Sequence, residues 1–152
     1  MRRAITVAIA ALAFAFTLAS TAQAEEVNLP PVPKACKVET TICIDTTFLA
    51  LRYVKDGKVE RTMDIRVGAL KYPTDLGEFR VYRKARHHRS TDYDTPMPYS
   101  LFYNGAESIH YSQYFRRDGY NGASHGCVNL RDFKGAGWLF RNSPIGTRVY
   151  VY

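Results

Sequence analysis

His110 to Asp132 reads HYSQYFRRDGYNGASHGCVNLRD, and the rest of the 152-residue chain is organised around it. The stretch holds two of the four histidines, one of the three cysteines and three of the ten glycines, so reactive side chains sit where the backbone turns most freely. Within it, Ser124-His125-Gly126-Cys127-Val128-Asn129 sets a cysteine in a glycine-containing turn. Such a turn exposes the sulfur together with neighbouring backbone N–H groups. Acyl transfer to sulfur needs both, a thiolate nucleophile and donors aimed at the developing oxyanion. It also needs a base within hydrogen-bond reach, which need not be adjacent in sequence. His110 and His125 are the candidates.

Around this stretch the chain reads as short strands. Ser108-Ile109-His110-Tyr111 is a strand carrying His110. Upstream, Phe48 to Val54 reads as a buried strand, and Lys55-Asp56-Gly57-Lys58 as an Asp-Gly hairpin turn. The return strand alternates: Val59, Met63, Ile65 and Val67 are apolar, while Glu60, Thr62, Asp64 and Arg66 are polar and face solvent or a polar partner. Gly68 to Gly77 is a loop, and Glu78 to Arg83 a strand with Phe79 and Val81 on one face. Lys84 to Asp94 is a polar, solvated loop. His87-His88 lies in it without acidic or sulfur ligands at a useful spacing for a metal. Thr95-Pro96-Met97-Pro98 bends the chain into a strand over Tyr99 to Tyr103. Downstream, Arg131 to Arg141 has helical character, with Asp132 as its N-cap or first-turn acid and Phe133, Ala136, Trp138, Leu139 and Phe140 on an apolar face. Gly135 and Gly137 weaken that helix, and Pro144 ends it. Thr147 to Tyr152 closes the chain as a strand with Val149 and Val151 inward. Short strands, turns rich in Gly and Pro, and one helix make a mainly β domain.

The chain begins MRRAITVAIAALAFAFTLASTAQA. Charged Arg2 and Arg3, an apolar run from Ala4 to Ala19 and the A-x-A site Ala22-Gln23-Ala24 read as a secretory signal peptide over residues 1–24. An uncleaved anchor is the alternative. Residues 25–45 follow as a proline-rich linker or N-terminal segment, and residues 46–152 as the catalytic domain. Signal removal lowers the formal net charge from +7 to +5. A basic exported protein suits an anionic envelope or wall in the periplasm or outside the cell. No nucleic-acid partner and no membrane insertion after cleavage are expected, and a monomer is. Three cysteines in an exported chain leave one over. A Cys36–Cys43 disulfide would tie down the segment entering the domain and leave Cys127 free. The alternative is that Cys36 and Cys43 are both thiols.

A histidine, a spacer and then Ser-His-Gly-Cys, a hydrophobic residue and Asn together resemble the L,D-transpeptidases of bacterial cell walls, the YkuD-type catalytic domain. The spacer here, Tyr111 to Ala123, is slightly shorter than the family's. The likeness extends through Tyr72-Pro73-Thr74-Asp75-Leu76-Gly77-Glu78-Phe79 and Met97-Pro98-Tyr99. It covers nearly all of the chain from about Thr46 to Tyr152. It implies a β-sandwich-like fold with mixed sheets and one short helix after the cysteine. It implies Cys127 as nucleophile, His110 as proton acceptor and donor, and Asn129 at the substrate. His125 and Gly126 would shape the turn and its oxyanion hole, and Ser124 would order it. Tyr99 and Tyr103 are candidates for the substrate groove. The implied reaction joins peptidoglycan stem peptides between their third residues through a thioester, without a metal or other cofactor, and carbapenem β-lactams are the expected inhibitors. An L,D-carboxypeptidase and a non-catalytic wall-binding protein are the alternatives. A zinc site from His110, His125 and Cys127 is the rival chemistry, though no Cys-x-x-Cys or His-Glu-x-x-His spacing accompanies it.

Overall fold

The computed structural model describes residues 29–152, so the expected signal peptide lies outside the described residues. A 3-10 turn at Lys34–Lys37 leads into β1 (Thr41–Asp45), β2 (Ala50–Lys55) and β3 (Lys58–Arg66). Then come β4 (Gly77–Arg80), β5 (Arg83–Ala85), β6 (Ser100–Asn104) and β7 (Glu107–Tyr111). A short helix α1 (Gln113–Asp118), β8 (Val128–Leu130), helix α2 (Phe133–Asn142) and β9 (Arg148–Val151) complete the chain. The described strands form one mixed sheet in the order β4-β9-β1-β2-β3-β8-β7-β6-β5. Pairs β1/β9 and β7/β8 are parallel and the others antiparallel. This is the expected mainly β fold with mixed strand pairing and a helix after the cysteine.

The chain order forces the sheet to curl. β4 and β5 are separated only by Val81 and Tyr82, yet they occupy opposite edges. The edges therefore meet. Val81 N–H donates to the Thr147 carbonyl on the β9 side, and Tyr82 N–H to the Phe102 carbonyl on β6 (both 2.9 Å). Phe79 on β4 packs on Tyr103 of β6 with ring centroids 5.4 Å apart. The expected single strand over Glu78 to Arg83 is thus broken at this seam, where the buried Val81 enters the core. Ile42, Leu51, Ile65, Leu101, Ile109, Leu130, Leu139 and Val149 fill the inside of the curl.

The β2–β3 turn forms as expected. Asp56 and Gly57 both take positive φ (50° and 73°), the twist a two-residue hairpin needs. β3 is long because it serves both halves of the sheet. It pairs with β2 along its length and with β8 at Ile65 and Arg66. Its alternation holds at Met63 and Ile65, which are buried. Val59 is exposed at the hairpin end, and Arg66, expected outside, is buried. Thr41–Asp45 fell within the expected segment before the domain. It is instead a fully buried strand between β9 and β2, so the folded unit begins earlier than residue 46. Its polar ends are satisfied internally, and Asp45 pairs with the buried Arg52 at 3.1 Å.

α2 starts where Asp132 caps it, the carboxylate accepting from Lys134 N–H at 3.0 Å. Gly135 costs helix propensity for the sake of close packing: a Cβ there would lie 2.5 Å from the capping carboxylate and 3.2 Å from the Met63 sulfur. α1 was not anticipated. It is one and a half turns long, capped by Ser112 Oγ accepting from Phe115 N–H at 3.2 Å, and Phe115 alone of its residues is buried.

Cys36 in the 3-10 turn is disulfide-bonded to Cys43 on β1, with Cα atoms 6.0 Å apart, and packs with Val32 and Val54 in a small satellite cluster. Cys127 is free. Replacing Cys36 and Cys43 together by serine should lower the unfolding free energy by about 2–3 kcal/mol, the loop-closure value for so short a loop. Urea unfolding measures it, and an unchanged midpoint would show that the bond contributes nothing.

Candidate active site

The site is made by two parallel strands. β7 and β8 pair in register, Ile109 opposite Val128 and His110 opposite Asn129. Successive side chains of a strand point to opposite faces. Ile109 and Val128 therefore enter the core, and both are fully buried. Ser108 and His110 share the other face with Cys127 and Asn129. Ser108 Oγ lies 3.8 Å from Cys127 Sγ, and Asn129 Nδ2 lies 3.0 Å from His110 Nε2.

The hydrogen-bond chain behind the histidine fixes its tautomer. Arg66 can only donate, so its NH2, 3.2 Å from Asn129, requires the amide oxygen to face it. The Asn129 amide nitrogen then faces the imidazole and donates to Nε2. His110 Nδ1 must carry the proton, which it donates to the Tyr111 carbonyl at 2.8 Å. His110 is 4% exposed. Burial lowers its pKa to about 4; the Tyr111 carbonyl opposes that shift, while His88 and Arg66 add to it. Burial also pushes the Cys127 thiol above its usual range, against hydrogen bonding from Ser108 and with a contribution from the Glu107 carboxylate. At neutral pH the pair is therefore an uncharged thiol beside an uncharged imidazole. His110 and Cys127 share no hydrogen bond; the other polar neighbour of the sulfur is the Ala106 carbonyl at 3.9 Å.

The turn carrying Cys127 is latched to the loop after β3. Ser124 N–H donates to the Val67 carbonyl, and the Ser124 carbonyl accepts from Ala69 N–H (both 3.0 Å). The Ser124 hydroxyl donates to the Cys127 carbonyl. Thr74 Oγ1 accepts from Gly68 N–H at 3.0 Å and donates to the Gly126 carbonyl at 2.7 Å. Gly126 has φ +107°, and a Cβ there would come within 3.0 Å of the Glu107 carboxylate, so the turn demands glycine. The His125 ring stacks on Tyr93 at 4.2 Å and touches Tyr72 at 5.0 Å.

A cavity of about 760 Å³ opens over this face. It is lined by His110, Ser124, His125, Cys127 and Asn129, and also by Arg66, His88, Tyr93 and Glu107. Tyr99 and Tyr103, expected in the groove, do not line it. Tyr103 belongs to the core, and Tyr99 packs between Phe133 and Phe140 of α2. His88 is half-buried and packs edge-on against Phe102 at 5.0 Å. Among the described residues no three His, Cys, Asp or Glu side chains converge as a metal site would require. Ser108, two residues before His110, lies on the same strand face, a placement that the strand period carries. Thr74 and Glu107 reach the site through contacts distant in the chain, which no local pattern marks. Arg66 carried no signal, because alternation places it outside.

The fold is that of L,D-transpeptidase catalytic domains. An L,D-transpeptidase from Stackebrandtia nassauensis is 31% identical, with TM-score 0.68 over 74% of this chain and 54% of its own. One from Xylanimonas cellulosilytica is 28% identical, with TM-score 0.70 over 82% and 65%. The avibactam carbamoyl enzyme of Ldtfm is 29% identical, with TM-score 0.64 over 75% and 49%. The chain thus spans about half to two thirds of the length of these proteins. No curated protein matches it. The model of the YkuD L,D-transpeptidase catalytic domain matches residues 39–151, and the chain belongs to that family.

Two substitutions test the geometry. Asn129→Asp keeps a partner for Arg66 but replaces the donor at Nε2 with a carboxylate, which favours the imidazolium. The His110 pKa should rise from about 4 towards or beyond its ordinary 6.5, followed by NMR titration. An unchanged value would show that the amide does not set its state. Thr74→Val keeps the shape but strips two buried hydrogen bonds from the latch, at an expected cost of about 1–3 kcal/mol in chemical unfolding.

Proposed function

We propose that the protein is an exported cysteine L,D-transpeptidase acting on peptidoglycan stem peptides. The observation that carries this reading is the shared face of β7 and β8, which sets His110, Cys127 and Asn129 in one cavity with Ser108 beside the sulfur. Cys127 attacks the carbonyl of the L-centred bond before the terminal D-alanine of a tetrapeptide stem. As the Asn129 amide releases Nε2 of His110, the basic nitrogen of the tautomer, the thiol proton passes to it and from there to the departing amine. The Tyr111 carbonyl holds Nδ1–H and offsets the positive charge as it develops. The N–H groups of Gly126 and Cys127 serve as the oxyanion hole, in a turn held by Ser124, Thr74 and the stacked His125. Asn129 positions His110. A second stem's side-chain amine then attacks the thioester, forms the amide between third residues and returns the proton to sulfur.

The neutral resting pair decides the timing. A buried imidazole with pKa about 4 is a poor acceptor from a thiol whose own pKa is raised. Proton transfer is therefore favourable only as the carbon–sulfur bond forms. Export rests on the apolar start of the sequence; among the described residues no helix is long and apolar enough to cross a membrane.

Incubating the mature protein with tetrapeptide stems should give cross-linked dimers by mass spectrometry. Release of D-alanine with tripeptide alone would make the enzyme a carboxypeptidase. Neither product would leave a wall-binding protein. Cys127→Ala should abolish turnover, and His110→Ala should lower acylation by roughly 10²–10⁴-fold. Avibactam or a carbapenem should add one adduct to Cys127, and a Cys127→Ala protein that still cross-links would place the nucleophile elsewhere. The pH dependence follows from the same shifts. Protonation of His110 removes the base only near pH 4, so the acid limb of kcat/KM lies there. Alkylation of Cys127 by iodoacetamide should climb through the alkaline range. A plateau at neutral pH would reveal a preformed thiolate and overturn the neutral pair.

A further inference from the structure

Three arginines of the described chain are buried: Arg52, Arg66 and Arg148, at 4%, 8% and 6% exposure. Two of them are neutralised in place. Arg52 pairs with Asp45 at 3.1 Å, and Arg148 with Glu78 at 2.8 Å. Arg66 has no carboxylate at ion-pair distance among the described residues. Its NH2 meets the amide oxygen of Asn129 at 3.2 Å, and its NH1 reaches the Gly119 carbonyl at a long 3.4 Å. Its Nε is buried and has no hydrogen-bond partner. Asp118 is the nearby acid, but both of its oxygens are engaged by Arg117 at 2.6 and 2.8 Å. One side of the guanidinium rests against the Phe115 ring, centroid 5.4 Å away.

A buried charge without a counter-charge and an orphaned buried donor are both costly. Of the three buried arginines, Arg66 alone lines the cavity that holds Cys127 and His110. An anion entering there would supply the missing counter-charge, because a guanidinium matches a carboxylate with two parallel N–H donors. Arg83 also lines the cavity, together with the acids Glu107, Asp92 and Asp118, but Arg83 is not buried.

We propose that Arg66 is the specificity residue of this cavity and binds a carboxylate of the incoming substrate through the guanidinium edge that lines it. The proposal rests on the stem-peptide reading above. A stem has two carboxylates near the scissile bond: the terminal one on the departing residue, and the side-chain one on the third residue where that residue is a diamino diacid. The chemistry is common to both, and the experiment separates them. Because Arg66 also holds Asn129, a merely structural role is separated as well.

Three tetrapeptides are compared on the wild-type enzyme and on Arg66→Met: the parent, one amidated at the C-terminus and one amidated on the third residue. One amide should lower the wild-type kcat/KM by about tenfold to hundredfold, the range for a charged hydrogen bond. Arg66→Met should show the same loss on the parent and no further loss on that amide. Losing as much on the amide as on the parent would mean that Arg66 acts only through Asn129, and would overturn the proposal. So would a wild-type enzyme indifferent to both amides. A second readout needs no peptide turnover. Cys127 alkylation by iodoacetate, which carries a carboxylate, is compared with alkylation by neutral iodoacetamide. The wild-type ratio of the two rates should fall about tenfold in Arg66→Met; an unchanged ratio overturns the proposal. Should that variant not fold, Arg66→Lys, which keeps the charge but lacks the fork, replaces it in both assays and should lose part of the preference. An enzyme inert towards stems that still shows the Arg66-dependent iodoacetate preference would sink the transpeptidase reading and leave the anion site standing.

Discussion

The parallel pairing of β7 with β8 is the constraint on which the site depends. Parallel neighbours cannot be joined by a tight turn. The connection here runs from Ser112 through α1 to the Ser124–Cys127 turn. It returns the chain beside β7 in a register that sets His110 opposite Asn129. A slip of β8 by one residue would turn its faces over, putting Val128 in the cavity and Cys127 and Asn129 towards the core. The burial of Ile109 and Val128 is thus what holds the reactive side chains in place. β3 adds to this from the other side by pairing Arg66 with Asn129 across the antiparallel ladder.

Electrostatically the site is built from hydrogen bonds rather than from opposed charges. A carboxylate beside His110 would favour imidazolium. The chain uses a carbonyl, that of Tyr111, and an amide, that of Asn129, and it buries the ring. The result is a neutral base next to a neutral thiol. The one formal charge that touches this network is Arg66, and it touches it at the amide oxygen. That placement fixes which way the amide points and, through it, which imidazole nitrogen is basic. The same placement leaves a cation facing the cavity with donors to spare.

The curl of the sheet serves the site by covering its back. Because β4 and β5 lie at opposite edges and are joined by two residues, the edges must come together, and Val81 seals the seam. The loop between β3 and β4 is thereby held close to the Ser124–Cys127 turn, where Thr74 bonds both to Gly68 and to Gly126. The Cys36–Cys43 disulfide acts at the far side, fastening the 3-10 turn to β1.

Local chemistry made much of this legible in the sequence. Alternation located β3 and β9, short apolar runs located β2 and β7, Asp56-Gly57 located the hairpin, and Asp132 located the start of α2. The Ser-His-Gly-Cys turn and an upstream histidine marked the site, because the turn needs glycine and small neighbours wherever it occurs. Other features depend on partners distant in the chain, and periodicity does not see these. Thr41–Asp45 became a central strand because β9, more than a hundred residues later, covers its edge. Glu78 to Arg83 was broken because the sheet closes there. Tyr99 and Tyr103 went to packing because α2 and β4 supplied aromatic neighbours. Arg66 was turned inward because its strand passes from one half of the sheet to the other, so a polar residue at an outward position meets β8 instead of water. The sequence by itself determined the candidate site residues and the strand-rich character of the chain, since both are written in residue types and short spacings. Tertiary structure alone decided the register that joins those residues and the charge that faces them, since both arise from contacts between segments far apart in the chain.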